Sequence, residues 1–147
     1  MQKLLMGGVF SLLLGITGCQ QPATNSSNQS TETTADSVKT ETPFVSLSAD
    51  DFEKIIAHSN IHLVDVRSND EYIAGHIKGS LNIDLKGGIF VESANKLLPK
   101  EDTIAVYCRS GRRSKEAAKI LAEEGFKVVE LNGGFNEWTE SQHEIEK

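Results

Sequence analysis

The 147-residue sequence has few cysteines, no excess of positive charge and no long apolar run, and each shortage excludes a class of protein. Two cysteines are too few for a disulfide framework. A formal net charge of −6 argues against a general nucleic-acid binder, because such a protein needs a basic surface to displace counterions from phosphates. The length suits one domain of ordinary size and excludes a large multidomain enzyme.

The apolar run near the N-terminus is shorter than a membrane span. Residues 4–18 are mostly apolar or small and follow a single positive charge at Lys3, whereas a transmembrane helix needs about 20 consecutive apolar residues. This layout is typical of a secretory signal. Four residues at its end resemble the bacterial lipobox: Ile16-Thr17-Gly18-Cys19. The resemblance implies removal of residues 1–18 and acylation of the Cys19 thiol.

We therefore expect a lipoprotein that lies outside the cytoplasm and is anchored to a bacterial membrane through Cys19. A plain cleaved signal and an uncleaved anchor are the alternatives. Residues 20–43 contain ten Ser or Thr, five Asn or Gln and three apolar side chains, a composition typical of a flexible linker. The predicted organisation is a signal peptide over residues 1–18, a lipidated cysteine with a disordered polar tether over 19–43, and one folded domain over 44–147.

From residue 44 onward, short apolar runs alternate with amphipathic stretches, which is typical of an α/β domain around a parallel sheet. Strands are predicted at residues 44–47, 61–66, 80–83, 103–107 and 127–131, with helices between them. Ser68 and Glu71 form a capping pattern at one helix start, and Gly125 stands where a glycine ends another helix. Arg67 and Glu71, four residues apart, predict a supporting ion pair. The sequence therefore predicts a three-layer domain whose central, mainly parallel five-stranded sheet is flanked by helices.

One segment between a predicted strand and a predicted helix combines a nucleophile with positive charge. Its residues are Cys108-Arg109-Ser110-Gly111-Arg112-Arg113-Ser114. Ligands of open parallel sheets bind beyond the carboxyl ends of the strands, and Cys108 stands at that position. Four of the eight residues from 108 to 115 are cationic, and unpaired N–H groups at a helix start attract anions. Such a field stabilises a thiolate, although an unpaired cysteine can also be a small core residue.

The segment resembles the active-site loop of the rhodanese family of sulfurtransferases, which is commonly Cys-Arg-Ser-Gly-x-Arg-Ser. Further blocks follow in family order, among them Leu63-Val64-Asp65-Val66-Arg67, Gly75-His76-Ile77 and Leu131-Asn132-Gly133-Gly134. The resemblance implies that Cys108 takes a sulfane sulfur from an anionic donor such as thiosulfate and passes it, as a persulfide, to cyanide or a thiol. It implies no metal and no organic cofactor.

The chemistry of the loop independently assigns its other residues to substrate binding, because persulfide and thiosulfonate groups are anions. Donor binding and charge stabilisation would fall to Arg109, Arg112 and Arg113. The remaining loop positions, Ser110, Gly111 and Ser114, would contribute to the cradle for the anion.

Two other functions stay open at this point. A non-catalytic persulfide carrier or binding module, serving a protein sulfur acceptor, would keep the same loop. Cysteine phosphatases and arsenate reductases place an arginine after five intervening residues, and that position here is Ser114. Arg113 follows Cys108 after only four residues, so a phosphatase is less favoured, because a displaced arginine loses the bidentate geometry that phosphate needs.

Overall fold

A computed structural model describes residues 42–147, which form an α/β domain around a five-stranded sheet. In chain order the elements are β1 (Val45–Leu47), α1 (Ala49–Ile56), β2 (Ile61–Asp65), α2 (Asn69–Ala74), β3 (His76–Ile77), β4 (Leu81–Asn82), α3 (Phe90–Leu97), β5 (Thr103–Tyr107), α4 (Arg112–Glu123), β6 (Lys127–Leu131), α5 (Gly134–Glu140) and β7 (Ile145–Glu146). The central sheet has the strand order β1-β6-β5-β2-β4, and all its pairings are parallel. The predicted fold class is confirmed.

Helices cover both faces of this sheet and make two hydrophobic cores. The core on one face joins strand residues Val64, Ile104 and Val106 to Phe90 of α3 and Leu121 of α4. The core on the other face joins Leu63, Tyr107 and Leu131 to Phe52 of α1 and Trp138 of α5. Because β2 and β5 are covered on both faces, their sequences are nearly continuous apolar runs rather than alternating ones. These apolar runs are the pattern from which the two strands were predicted.

A second, two-stranded sheet lies beside α2 and was not predicted. β3 pairs antiparallel with β7, with His76 opposite Glu146 and Ile77 opposite Ile145. Strands of two residues are too short to show an alternating pattern, and this pairing joins segments far apart in the chain. None of the helices among residues 42–147 is long and apolar enough to cross a membrane.

The predicted helix signals are confirmed, and one predicted ion pair is wrong. Ser68 and Glu71 form a reciprocal capping box at the start of α2, and Gly125 follows α4 with φ of 87°. Arg67, however, binds Asp65 rather than Glu71. Arg67 lies before the first residue of α2, so the four-residue spacing does not place it on the same helical face as Glu71. The proposed signal, the lipidation at Cys19 and residues 20–41 of the tether lie outside the described residues.

Candidate active site: the Cys108 loop

Cys108 lies directly after β5, which is the middle strand of the central sheet. The loop of residues 108–111 leads from this strand into α4. Cys108 is 1% exposed, so the cysteine lies in the floor of the loop rather than on its rim. The structure thus places the thiol at the carboxyl end of a parallel strand, where ligands of such sheets bind.

Gly111 shapes the turn from the loop into α4. It caps the helix in the left-handed region, with φ of 84°. A Cβ at this position would overlap the carbonyl oxygen of Asn132. Only glycine therefore allows the loop to curl this tightly against the segment after β6.

The N-terminus of α5 holds the loop in place through two backbone hydrogen bonds. The Phe135 N–H donates to the Cys108 carbonyl over 2.7 Å, and the Asn136 N–H donates to the Arg109 carbonyl over 3.0 Å. This approach requires Gly134, whose φ is 64° and whose Cβ would lie 2.5 Å from the Cys108 carbonyl oxygen. The helix start thus fixes two carbonyls of the loop.

The amide groups of the loop are available to an anion. Within residues 42–147, the N–H groups of residues 109–114 donate to no backbone carbonyl. Several of these amides belong to the first turn of α4, where the helix dipole adds positive potential. The side chains of Arg109 and Arg112 are exposed. The loop therefore combines a cysteine thiol with amide donors and two exposed cationic side chains, an arrangement that favours an anionic ligand.

Arg113 has a different environment from the other two loop arginines. Its Nη1 and Nη2 donate to the two carboxylate oxygens of Glu71 over 2.7 and 2.8 Å, a bidentate pair. The hydrogen bonds from Arg113 lower the pKa of Glu71 to about 2, and the same bonds raise the pKa of Arg113.

Ser114 and Glu130 form a buried polar cluster beneath the loop. The single hydrogen of the Ser114 hydroxyl is shared between the Gly111 carbonyl oxygen, 3.0 Å away, and the Glu130 carboxylate, 3.1 Å away. Glu130 is fully buried on β6 and also accepts from the Ser46 hydroxyl. Lys115 lies 3.4 Å from the same carboxylate. The Ser114 side chain therefore faces the interior, and only the amide of this residue is placed for the predicted substrate contact.

The predicted site residues thus divide into two groups. Cys108 is buried, the side chains of Arg109 and Arg112 are exposed, and the amides of Ser110 and Gly111 donate to no backbone carbonyl among residues 42–147. Arg113 and the Ser114 hydroxyl are instead engaged by carboxylates. No cluster of three or more His, Cys, Asp or Glu side chains among residues 42–147 is arranged to hold a metal.

The sequence interpretation missed the residues that hold the loop from other elements. Glu71, Glu130 and Gly134 were not recognised as parts of the site, and each reaches it from a distant point in the chain. One signal was present, because a Gly-Gly pair opening a helix marks a close approach of two backbones. The charged pairs carry no such local signal.

The comparisons with known proteins assign the family. A model of the rhodanese-like domain matches residues 48–141. The thiosulfate sulfurtransferase PspE of Escherichia coli is 40% identical over 76 residues, which cover 52% of this chain and 72% of that protein. The thiosulfate sulfurtransferase GlpE of Shewanella oneidensis is 31% identical over 100 residues, which cover 67% of this chain and 95% of that protein. The chain belongs to the rhodanese family.

A solved structure of the same kind supports the assignment. The BH2092 protein of Bacillus halodurans superposes with a TM-score of 0.62 and 31% sequence identity, over 69% of this chain and 76% of that chain. Both the fold and the relatives therefore identify a rhodanese-like sulfurtransferase.

Proposed function

We propose that the protein transfers sulfane sulfur from thiosulfate, through a persulfide on Cys108, to cyanide or a thiol. In the first step the Cys108 thiolate attacks the outer sulfur of thiosulfate. A bond forms between the two sulfurs, the bond from that sulfur to the sulfonate group breaks, and sulfite leaves with the electron pair. In the second step the acceptor attacks the same outer sulfur, and Cys108 leaves again as a thiolate.

The observation that carries this proposal is the surroundings of the Cys108 thiol. A thiolate, a persulfide and thiosulfate are all anions, and the loop supplies amide N–H groups and the exposed side chains of Arg109 and Arg112. Donors placed in advance stabilise such charge without reorganising during the reaction. Charge-assisted hydrogen bonds from arginine are also stronger than bonds between neutral groups. The loop therefore suits each anion of the cycle.

The loop suits phosphate chemistry less well. A cysteine phosphatase needs a free arginine that clamps the transferred group with two parallel hydrogen bonds. Arg113, the nearest candidate by spacing, already makes its bidentate contact with Glu71. Ser114, which stands where that arginine is expected, is fully buried. Sulfur transfer is therefore the better match.

A turnover assay tests the proposal. The folded domain, mixed with thiosulfate and an excess of cyanide, should form many equivalents of thiocyanate per protein, whereas the Cys108→Ser variant should form none. Thiocyanate that stops at one equivalent would indicate a persulfide carrier rather than an enzyme. Equal rates in the wild type and the variant would refute the role of Cys108.

We also propose that Cys19 is lipidated and holds the domain at the outer side of a bacterial membrane. The support is the short apolar run that ends in Ile16-Thr17-Gly18-Cys19 and the polar segment that follows it. Two or more acyl chains are enough for stable anchoring. Cells fed a palmitate analogue should label the full chain, and Cys19→Ala should abolish the label. Labelling that survives this substitution would refute the proposal.

A further inference from the structure

A small cleft opens beside the Cys108 loop. The sulfur-transfer steps proposed above assign no role to most of the residues that line it. Its volume is about 210 Å³. Pockets for drug-sized ligands measure roughly 300–1,000 Å³, so the cleft suits a smaller molecule. Separate parts of the domain line the cleft, and six of the lining residues are used in the argument below: Arg67, Glu71, Ala74, Arg109, Phe135 and Ile145.

The cleft adjoins the backbone of the Cys108 loop. Arg109 is the next residue after Cys108, and the Phe135 N–H donates to the Cys108 carbonyl over 2.7 Å. Phe135 and Ile145 supply an apolar wall, and the exposed Arg109 supplies a positive charge. A molecule bound here would lie beside the Cys108 loop, with its length along this wall.

One carboxylate also lines the cleft, and its charge is already paired. Glu71 accepts two hydrogen bonds from Arg113, over 2.7 and 2.8 Å. A bidentate pair of this kind compensates most of the negative charge of the carboxylate. Asp65 compensates the charge of Arg67 in the same way, so the excess of positive charge in the cleft comes from the exposed Arg109.

Arg67 adds a second guanidinium to the cleft, and hydrogen bonds hold this group in place. The Arg67 side chain is 4% exposed and pairs with the fully buried Asp65. Its Nε donates to Asp65, and its Nη2 donates to Asp65 and to the Gly75 carbonyl. Nη1 has no partner among residues 42–147, yet every enclosed side-chain nitrogen and oxygen there is hydrogen-bonded. Nη1 therefore opens onto the cleft that Arg67 lines.

Phe135 fixes the orientation of this guanidinium. The Arg67 Cζ lies 4.2 Å from the centroid of the Phe135 ring, which covers one face of the group. A guanidinium held by a carboxylate, a carbonyl and a ring has lost most of its freedom before a ligand binds. The remaining N–H groups of Nη1 are thus placed in advance for an acceptor oxygen.

We infer that this cleft is the acceptor subsite and that it selects small thiols carrying a carboxylate. The inference rests on the proposed function of Cys108 and adds a substrate class to it. The carboxylate lies between Arg67 Nη1 and Arg109, and the carbon chain packs on Phe135 and Ile145. The thiol end of the molecule then points toward the persulfide on Cys108.

The transfer step balances without an added oxidant or reductant. The acceptor thiolate attacks the outer sulfur of the Cys108 persulfide and forms a new sulfur–sulfur bond. The bond between that sulfur and the Cys108 Sγ breaks, and its electron pair stays on Sγ as a thiolate. The acceptor leaves as a persulfide that still carries its carboxylate.

The test uses variants at the rim, because Arg67→Gln would leave Asp65 without its partner in the core. Ala74 lines the cleft at the exposed end of α2, and Ala74→Glu adds a negative charge there. Ile73→Glu adds the same charge one residue earlier, at a side chain that is 63% exposed and does not line the cleft. Both variants place the charge in the last turn of the same helix, so their effects on folding are matched.

The probes are 3-mercaptopropionate and 3-mercaptopropionamide, which differ only in the charge of the terminal group. The enzyme is first loaded with thiosulfate, its persulfide is verified by intact mass, and the decay of that persulfide is then followed at increasing thiol concentration. The ratio of variant to wild type for each thiol cancels the difference in thiol acidity. The new glutamate repels a carboxylate across the cleft, so the charged thiol should show a KM about threefold higher in Ala74→Glu than in the wild type.

The amide should keep its wild-type KM in Ala74→Glu, and both thiols should keep theirs in Ile73→Glu. Equal changes for the two thiols in Ala74→Glu, or no change for either, would overturn the carboxylate subsite while leaving sulfur transfer intact. Failure to form the persulfide in the loading step would instead overturn the proposed function itself.

Discussion

The first prediction concerns Gly134→Ala, a substitution that should disturb the position of the Cys108 loop more than the rest of the fold. The new Cβ would lie 2.5 Å from the Cys108 carbonyl oxygen and 2.7 Å from the Arg109 carbonyl carbon and the Ser110 nitrogen, all of them backbone atoms that have little room to move. The substitution also forces alanine into the left-handed region, with φ of 64°. We expect α5 and the loop to separate and to lose the hydrogen bond from Phe135 to Cys108.

The expected magnitude has two parts. Left-handed backbone costs a residue with a Cβ roughly 1–2 kcal/mol. Each lost hydrogen bond between α5 and the loop costs about 0.5–1.5 kcal/mol. The free energy of unfolding should therefore fall by about 3 kcal/mol. The rate of persulfide formation should fall by about tenfold or more, because a small misplacement of reacting groups is costly.

Gly125→Ala is the matched control. Gly125 has φ of 87°, but a Cβ added there would have nothing within 4 Å, so alanine meets backbone strain alone. Urea unfolding should show a loss of roughly 1–2 kcal/mol, while persulfide formation in single turnover keeps its wild-type rate. Equal loss of sulfur-transfer rate in the two variants, each assayed without urea and shown to be folded, would refute the reasoning that α5 holds the loop.

The other predictions concern charges and one buried hydroxyl around the site. Because the folded pKa of Glu71 is depressed from 4.5 to about 2, its pair with Arg113 stabilises the fold above pH 4.5 and loses that effect as the pH falls toward 2. The stability difference between wild type and Glu71→Gln, measured by urea unfolding, should shrink across this window, and a constant difference would contradict it. Tyr107→Phe leaves a buried backbone N–H unpaired and should cost about 1–3 kcal/mol of unfolding free energy with little change in turnover. Arg112→Gln should raise the KM for thiosulfate several-fold at low salt and less at high salt, whereas Lys119→Gln, on the same helix, should not.

The central sheet was predictable because its strands carry a local signal. β5 and β2 are covered on both faces, so each appears in the sequence as a short apolar run. The reciprocal cap of Ser68 and Glu71 is likewise a contact between residues three positions apart. The small sheet of β3 and β7 has no such signal, since a pair of two-residue strands is set by the path of the whole chain.

The site was likewise predictable where its residues are neighbours in the sequence, and not where the fold brings distant residues together. Cys108, the loop arginines and Gly111 lie in one continuous segment, and their chemistry could be interpreted together. The role of Arg113 could not, because its partner Glu71 lies 42 positions earlier in the chain. The prediction paired Glu71 with Arg67 because of their spacing. In the fold, Glu71 pairs with Arg113, and Arg67 pairs with Asp65.

The most direct test of the account is the intact mass of the folded domain after treatment with thiosulfate and removal of small molecules. We predict a gain of one sulfur atom, mapped by peptide fragmentation to Cys108, and its loss when a thiol or cyanide is added. The Cys108→Ser variant, treated in the same way, should keep its mass. An unchanged mass in the wild type, or the same gain in the variant, would contradict the claim that sulfur transfer proceeds through Cys108.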